Sequence, residues 1–173
     1  MKEVYKGTQI VVREFLKKIR GEKQVFEFVS RRDVVLCIPF DSDNNIIFVD
    51  QYRAAIDSNV LELPAGKVDH GETLEVAIKR ELIEEIGYEL TELEHIGSIL
   101  GSPHFSDEKI HVFKAKGKIV RDPTPTKTES FSGVTSMSAK EVERSIANSE
   151  LIDGKSIAAI TLLMAKTIQW EDE

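Results

Sequence analysis

Short apolar runs dominate the first two thirds of the chain and predict strands. Helical periodicity appears after a turn at Gly71 and again near the end of the chain. Segments 8–15 and 23–30 alternate between apolar and polar residues, and 33–40 and 45–52 are denser apolar runs, typical of strands covered on both faces. The predicted strands are 8–15, 23–30, 33–40, 45–52, 59–66, 93–100 and 109–117, and the predicted helices are 73–86, 138–149 and 154–170. Because strands and helices do not alternate regularly, the pattern indicates an α+β sandwich.

One internal helix carries an unusual charge pattern. On a helical wheel at about 100° per residue, Leu74, Ala77, Ile78 and Leu82 form an apolar arc. Glu81 and Glu85 fall inside that arc, Glu84 lies at its edge, and Arg80 points farther away. The wheel therefore predicts two carboxylates on the face of the helix that meets the core.

Two inward carboxylates on adjacent helical turns require compensation. Like charges four residues apart repel each other, and withdrawal from water costs several kcal/mol more, of the order of 5. Arg80 can pair with Glu84 or with Glu72, but one arginine cannot neutralise the whole group. A divalent cation can, since several carboxylates make an all-oxygen site suited to Mg²⁺ or Mn²⁺. The alternative is a solvated acidic face.

Composition narrows the class of protein. The chain has 173 residues and a net charge of −7, with 41% hydrophobic residues. This length predicts a single domain spanning 1–173. The acidity and the lack of a basic stripe argue against nucleic acid and membrane partners. Cys37 is the only cysteine and lies in an apolar run, which indicates a buried thiol. With no apolar leader or long apolar run, the expected location is cytoplasmic.

The segment from Gly66 to Tyr88 closely resembles the Nudix box, G-x5-E-x7-R-E-U-x-E-E-x-G-U, where U is a bulky aliphatic residue. Gly66, Glu72 and Gly87 occupy three of its fixed positions, and the run from Arg80 to Glu85 supplies the others. Only Tyr88 departs from the pattern, in the last aliphatic position. The resemblance implies an α/β/α sandwich with a mixed central sheet, and Mg²⁺-dependent hydrolysis of a diphosphate joined to a second group.

The resemblance also implies roles for individual residues. Glu81 and Glu85 correspond to metal ligands, and Glu84 to a further ligand or an orienting carboxylate. Ala65 corresponds to a ligand through its carbonyl oxygen. Arg80 and Glu72 correspond to a pair that holds the preceding loop against the helix. A metal in such an acidic site would bridge the carboxylates and the substrate's diphosphate.

Residues 31–117 further resemble the branch that hydrolyses ADP-ribose and nucleoside-diphosphate sugars. Three stretches carry that resemblance: VDQYR, LELPAGKVD and SPHFSDEKIHVF. By position, Arg53 corresponds to an arginine that contacts the diphosphate, and Glu108 to a carboxylate near the metals and the terminal ribose. Arg31 or Arg32 falls where the branch presents an arginine from the partner subunit, and His104 lies in the loop on the substrate side. Residues 1–30 exceed the minimal fold; in this branch such strands build a homodimer and complete the partner's active site, so the resemblance implies a dimer.

The general base is the least defined part of this prediction. The branch often carries it on a loop before the penultimate helix, where Glu129 is the only carboxylate in TPTKTESFSG. Otherwise Glu81, Glu84 or Glu108 would orient the water. Two competing functions remain open: hydrolysis of another sugar nucleotide such as a GDP-hexose, and a catalytically silent Nudix domain that binds a nucleotide and regulates a partner.

Overall fold

A separate antiparallel sheet of three strands begins the chain. The computed structural model describes residues 1–8, 10–124 and 131–167. Within them the first sheet consists of β1 (Lys2–Lys6), β2 (Val11–Ile19) and β3 (Glu22–Ser30), in that order. The tight turn between β2 and β3 places Arg20 and Gly21 at φ 49° and 92°, as the RGE sequence predicts for a hairpin. The predicted N-terminal strand extension is thus present, although β1 was not predicted.

The central sheet has seven strands and mixed polarity. Its strands are β4 (Val34–Phe40), β5 (Ile46–Arg53), β6 (Ser58–Glu62), β7 (Ala65–Lys67), β8 (Tyr88–Leu100), β9 (Lys109–Ile119) and β10 (Phe131–Met137). They run in the order β10-β5-β4-β9-β8, with β6 paired to β5 and β7 paired to β4. The β4–β9 pair is parallel and the other pairs are antiparallel. The predicted mixed sheet is confirmed.

Helices cover both faces of this sheet. Alternate residues of β4 point to opposite sides, so Val35 and Cys37 pack with α1 (Leu74–Ile86) while Leu36 and Ile38 pack with the opposite layer. That layer consists of α2 (Ala139–Ala147) and α3 (Gly154–Thr167). The result is the α/β/α sandwich that the resemblance implies. Among the described residues, no helix is long and apolar enough to cross a membrane.

Local signals fix both ends of α1. The Thr73 hydroxyl accepts a hydrogen bond from the Val76 backbone N–H, and the helix ends at Gly87 in the left-handed conformation, φ 60°. A Cβ at residue 87 would lie 1.9 Å from the Arg121 carbonyl oxygen, so glycine is required by space as well as by conformation. The predicted helix is confirmed at both ends.

The strands of the central sheet differ from the prediction in three places. Segment 59–66 divides into β6 and β7, because the Leu63 N–H donates to the Ser156 hydroxyl and the Pro64 carbonyl accepts from Cys37 instead of extending one strand. Strand β8 begins at Tyr88, immediately after the helix and well before the predicted 93–100. Strand β10 was not predicted, since its sequence FSGVTSM lacks an apolar run.

Candidate functional site

Two carboxylates of α1 are buried against the sheet, as the helical wheel predicts. The exposed fractions of Glu81 and Glu85 are 5% and 3%, in line with the apolar residues around them. Glu84 is partly exposed at the edge of the same face. The sequence pattern therefore identified a real feature, since a solvated acidic face would leave these side chains in water.

Arg80 connects the preceding loop to this acidic face. Its Nε and Nη2 donate to the two carboxylate oxygens of Glu72 at 3.0 and 2.9 Å, and Nη2 also donates to the Lys67 carbonyl oxygen at 3.1 Å. Its Nη1 lies 2.6 Å from Oε1 of Glu81 and 3.5 Å from Oε2 of Glu84. Although the wheel directs Arg80 away from the core, its long side chain returns to the carboxylates.

These contacts shift the titration of both partners in the loop-to-helix pair. The hydrogen bonds from Arg80 lower the pKa of Glu72 to about 2. The same hydrogen bonds raise the pKa of Arg80 above its ordinary value, with Glu81 adding to the effect. Both groups therefore stay charged around neutral pH, and the loop is held to the helix by a bidentate ion pair.

Strand β7 closes over the carboxylates with its backbone. The Ala65 N–H donates to Oε2 of Glu85 at 3.0 Å. A Cβ at Gly66 would lie 1.8 Å from Oε1 of Glu81, so any other residue at 66 would occupy the space of that carboxylate. The glycine thus permits the close approach of strand and helix on which the site depends.

A cleft of about 610 Å³ opens above these residues. Most of the predicted site residues line it together with neighbours from β5 and β7. The lining residues are Arg31, Arg32, Val34, Gln51, Tyr52, Arg53, Ala54, Ala65, Gly66, Lys67, Asp69, Arg80, Glu81, Glu84, Glu108 and Lys155. The fold therefore gathers six arginine and lysine side chains around several carboxylates, which suits an anionic ligand that binds with a cation.

Arg53 is fixed on the wall of the cleft by a partner that the sequence did not predict. Its Nε donates to Oε1 of Glu62 at 2.6 Å, and its Nη2 pairs with Oε2. Glu62 is only 3% exposed, and this hydrogen-bonded pairing raises the pKa of Arg53 above its ordinary value. Because Nε and Nη2 face Glu62, Nη1 is the nitrogen available to a ligand.

Lys155, at the start of α3, was also missed. Its Nζ lies 2.9 Å from Oε2 of Glu62 and 2.8 Å from Oδ1 of Asp153. Burial alone would raise the pKa of Asp153, but Lys155 and the hydrogen bonds from Ser156 outweigh it, so the pKa lies below its ordinary value. In β6, Glu62 lies on the same face as the buried Val60, and a charged residue on that face was the one available signal for Glu62. No sequence signal pointed to Lys155.

Four further candidates are placed differently. Arg31 and Arg32 follow β3, and His104 and Glu108 lie in the loop before β9. Arg31 donates from Nε to Oε1 of Glu108 at 2.5 Å, and both residues line the cleft. Arg32 also lines it and pairs with Asp69. His104 is exposed, packs edge-on against Phe105 at 4.6 Å between ring centroids, and is not among the described residues that line the cleft.

A second cavity of about 510 Å³ lies beside the cleft and shares part of its wall. Arg31, Glu108 and Lys155 line both cavities. The remaining wall is largely apolar and includes Ile99 and Phe105. A ligand with a charged centre and a less polar end would thus find the two environments on either side of this shared wall.

The donor set suits a hard divalent cation. Carboxylates on successive turns and a backbone carbonyl are oxygen ligands of the kind that Mg²⁺ and Mn²⁺ prefer. No ready-made cluster of three acidic, histidine or cysteine side chains exists among the described residues, because Glu81 is turned toward Arg80 and Glu85 toward the Ala65 amide. Glu129, the predicted base, lies outside the described residues.

Comparison with known proteins agrees with the fold and identifies the family. The model of the NUDIX domain matches residues 30–159, so the chain belongs to the Nudix family. An ADP-ribose pyrophosphatase from Bacillus subtilis is 30% identical over 84% of this chain and 80% of its own length. A methanol dehydrogenase activator from Bacillus methanolicus is 33% identical over 83% and 78%.

A solved structure shows the same architecture. An ADP compounds hydrolase superposes with a TM-score of 0.82, at 18% identity, over 95% of this chain and 89% of that one. At this identity the likeness concerns the fold. Together with the relatives, it confirms the prediction of a Nudix hydrolase that resembles the ADP-ribose pyrophosphatases.

Proposed function

We propose that this Nudix hydrolase cleaves the diphosphate of ADP-ribose, or of a related nucleoside-diphosphate sugar, in a Mg²⁺-dependent reaction. The products would be a nucleoside monophosphate and a sugar phosphate. The observation that carries the proposal is the pair of buried carboxylates, Glu81 and Glu85: Glu81 lines a cleft whose wall holds Arg53, and Glu85 accepts a hydrogen bond from Ala65, which lines it as well. ADP-ribose pyrophosphatases from Bacillus subtilis and Mycobacterium tuberculosis, 30% and 29% identical, support this substrate class.

Four residues would hold the cation. They are the carboxylates of Glu81, Glu84 and Glu85 and the carbonyl of Ala65. A bound Mg²⁺ would neutralise the diphosphate and lower the pKa of an attacking water. Arg80 keeps Glu81 and Glu84 close together through its Nη1, and Glu72 keeps Arg80 in place. The protein thereby maintains the spacing of the ligands.

The substrate would be oriented by the cationic wall. Arg53 would donate from Nη1 to a phosphate oxygen, with its direction fixed by the bidentate contact to Glu62. Glu108 and Arg31 would meet the sugar end of the substrate, since they separate the cleft from the neighbouring cavity. His104 and Arg32 remain proposed contacts on the same side.

Glu129 is the proposed general base, with Glu81, Glu84 or Glu108 as the alternatives. A base needs only to reach the proton of the attacking water, either directly or through one further water. In Glu129→Gln the amide cannot accept that proton, so kcat should fall by about a hundredfold or more. A kcat that barely changes would remove Glu129 from the mechanism.

Two other functions have some support. A GDP-mannose pyrophosphatase from Salmonella arizonae is 31% identical over 58% of this chain, which supports another sugar nucleotide as substrate. The methanol dehydrogenase activator supports a role in regulating another protein. The intact set of Glu81, Glu84 and Glu85 favours a hydrolase over a silent binding domain.

The deciding experiment is a panel of ADP-ribose, GDP-mannose and other sugar nucleotides, with Mg²⁺ or Mn²⁺, analysed for products. We expect AMP and ribose 5-phosphate from ADP-ribose, and a loss of at least about a hundredfold in kcat for Glu85→Gln. Faster turnover of GDP-mannose would transfer the proposal to that substrate. If neither the wild type nor Glu85→Gln hydrolyses any compound of the panel, the catalytically silent binding domain would be favoured.

We further propose that the chain forms a homodimer through its N-terminal sheet. Leu16 and Val25 are cross-strand partners on one face of that sheet and are 68% and 59% exposed. Tyr5 and Val4 on β1 are exposed as well. A neighbouring copy would remove this apolar surface from water.

A further inference from the structure

The N-terminal sheet is joined to the core at the end of β3. It forms a sheet of its own, and its bridge to the core pairs Val29 with Ser106. The Val29 N–H donates to the Phe105 carbonyl at 2.7 Å, and the Asp107 N–H donates to the Val29 carbonyl at 3.4 Å. The end of β3 is therefore attached to the loop that precedes β9.

The Asp107 carboxylate strengthens this attachment. Its Oδ1 accepts a hydrogen bond from the Arg31 backbone N–H at 2.7 Å, and its Oδ2 accepts one from the Ser30 hydroxyl at 3.3 Å. One side chain thus binds the two residues through which the chain leaves β3. Asp107 is itself exposed, so these bonds add little to the packing of the core.

The consequence appears on the wall of the cleft. Arg31 has its backbone held by Asp107 and its guanidinium 2.5 Å from Glu108, the residue that follows Asp107. Glu108 also donates its N–H to the Ser106 hydroxyl at 3.2 Å. Arg31 and Glu108 line both cavities, so the placement of that wall depends on the attachment.

We propose that Asp107 is a positioning residue, which fixes Arg31 and Glu108 at the substrate and thereby couples the N-terminal sheet to the cleft. The proposal rests on the proposed hydrolysis of ADP-ribose or a related compound. Without the carboxylate, the end of β3 and segment 105–108 would move independently. Displacement of binding groups by about 1 Å is enough to weaken productive binding strongly.

Asp107→Ala removes both acceptors, whereas Asp107→Asn keeps an oxygen for the Arg31 N–H and an amide that can donate to Ser30. Asp43→Ala is the matched control, because Asp43 is an exposed aspartate in the turn between β4 and β5. We expect Asp107→Ala to raise KM for ADP-ribose about tenfold with a smaller change in kcat. Asp107→Asn should restore most of the affinity, and Asp43→Ala should match the wild type.

Hydrogen exchange provides the readout that is independent of activity. In Asp107→Ala the amides of segments 29–31 and 105–108 should exchange faster, while the melting temperature stays near that of the wild type. Unchanged KM and exchange in Asp107→Ala, or an asparagine variant no better than alanine, would overturn the proposal. If the wild type leaves ADP-ribose intact, the proposed function fails, and the exchange comparison alone decides whether Asp107 holds the two segments together.

Discussion

At the scale of single residues, the site requires a position without a side chain as well as its charged groups. Gly66 has no side chain, and Oε1 of Glu81 occupies the space that a Cβ would need. The Glu81 carboxylate is also held by Arg80. Spacing in the sequence predicts that Gly66 matters, but only the structure shows which group it makes room for.

Replacing Gly66 by alanine should therefore displace Glu81 and lower kcat by about tenfold to a hundredfold, because a displacement near 1 Å suffices. The affinity for Mg²⁺, measured by titration calorimetry, should fall as well. Gly133→Ala is the control, since a Cβ there meets nothing within 4 Å and residue 133 lines neither cavity. Equal kinetics for both variants would show that Glu81 tolerates the displacement.

At the scale of elements, the loop before α1 and the helix itself act as one unit. Glu72 in the loop and Arg80 in the helix form the bidentate pair, and Arg80 also reaches the Lys67 carbonyl at the end of β7. Since the pKa of Glu72 lies near 2, below the unfolded value of about 4.3, the pair stabilises the folded state above that unfolded value.

This linkage predicts a pH dependence of stability. The contribution of Glu72 is fully present above about pH 5 and is lost as the pH falls through about 4 toward 2, because the carboxylate binds its proton more readily in the unfolded chain. Glu72→Gln should therefore be less stable than the wild type at pH 6, and the difference should shrink by pH 2.5. Denaturant titrations across this range measure it, with Glu89→Gln as an exposed control. A constant difference would contradict the linkage.

The limits of sequence reasoning are also clearest at this scale. Helix α1 was predicted with both ends because Thr73, Gly87 and the apolar arc are local signals. Strand β10 was missed because it is defined by pairing with β5 and not by its own composition. Lys155 contacts Glu62 across 93 residues of sequence, and no local pattern reports such a contact. The two inward carboxylates could be predicted because glutamates inside the apolar arc are unusual in an ordinary amphipathic helix.

At the scale of the whole molecule, the N-terminal sheet stands apart from the sandwich and exposes apolar side chains. A three-stranded sheet with little cover gains stability from a second surface against it. The family match begins at residue 30, so this sheet lies almost entirely outside the matched domain. We therefore expect the sheet to act in the association of two chains.

Disrupting the exposed face should separate the proposed dimer. Leu16→Glu combined with Val25→Glu places two charges on adjacent strands and should give a monomer by size-exclusion chromatography with light scattering. Ile152→Glu is the matched control, because Ile152 is 59% exposed, like Val25, but lies between α2 and α3. A wild type that is already monomeric would contradict the dimer, and a double variant that stays dimeric would place its interface elsewhere.

The position of Arg80 also bears on how folding of the chain relates to binding of a cation. Its guanidinium contacts Glu72, Glu81 and Glu84, so the chain itself offsets part of the negative charge that α1 holds against the sheet. Folding and cation binding would then be separable events, unlike in small domains that fold only around their metal.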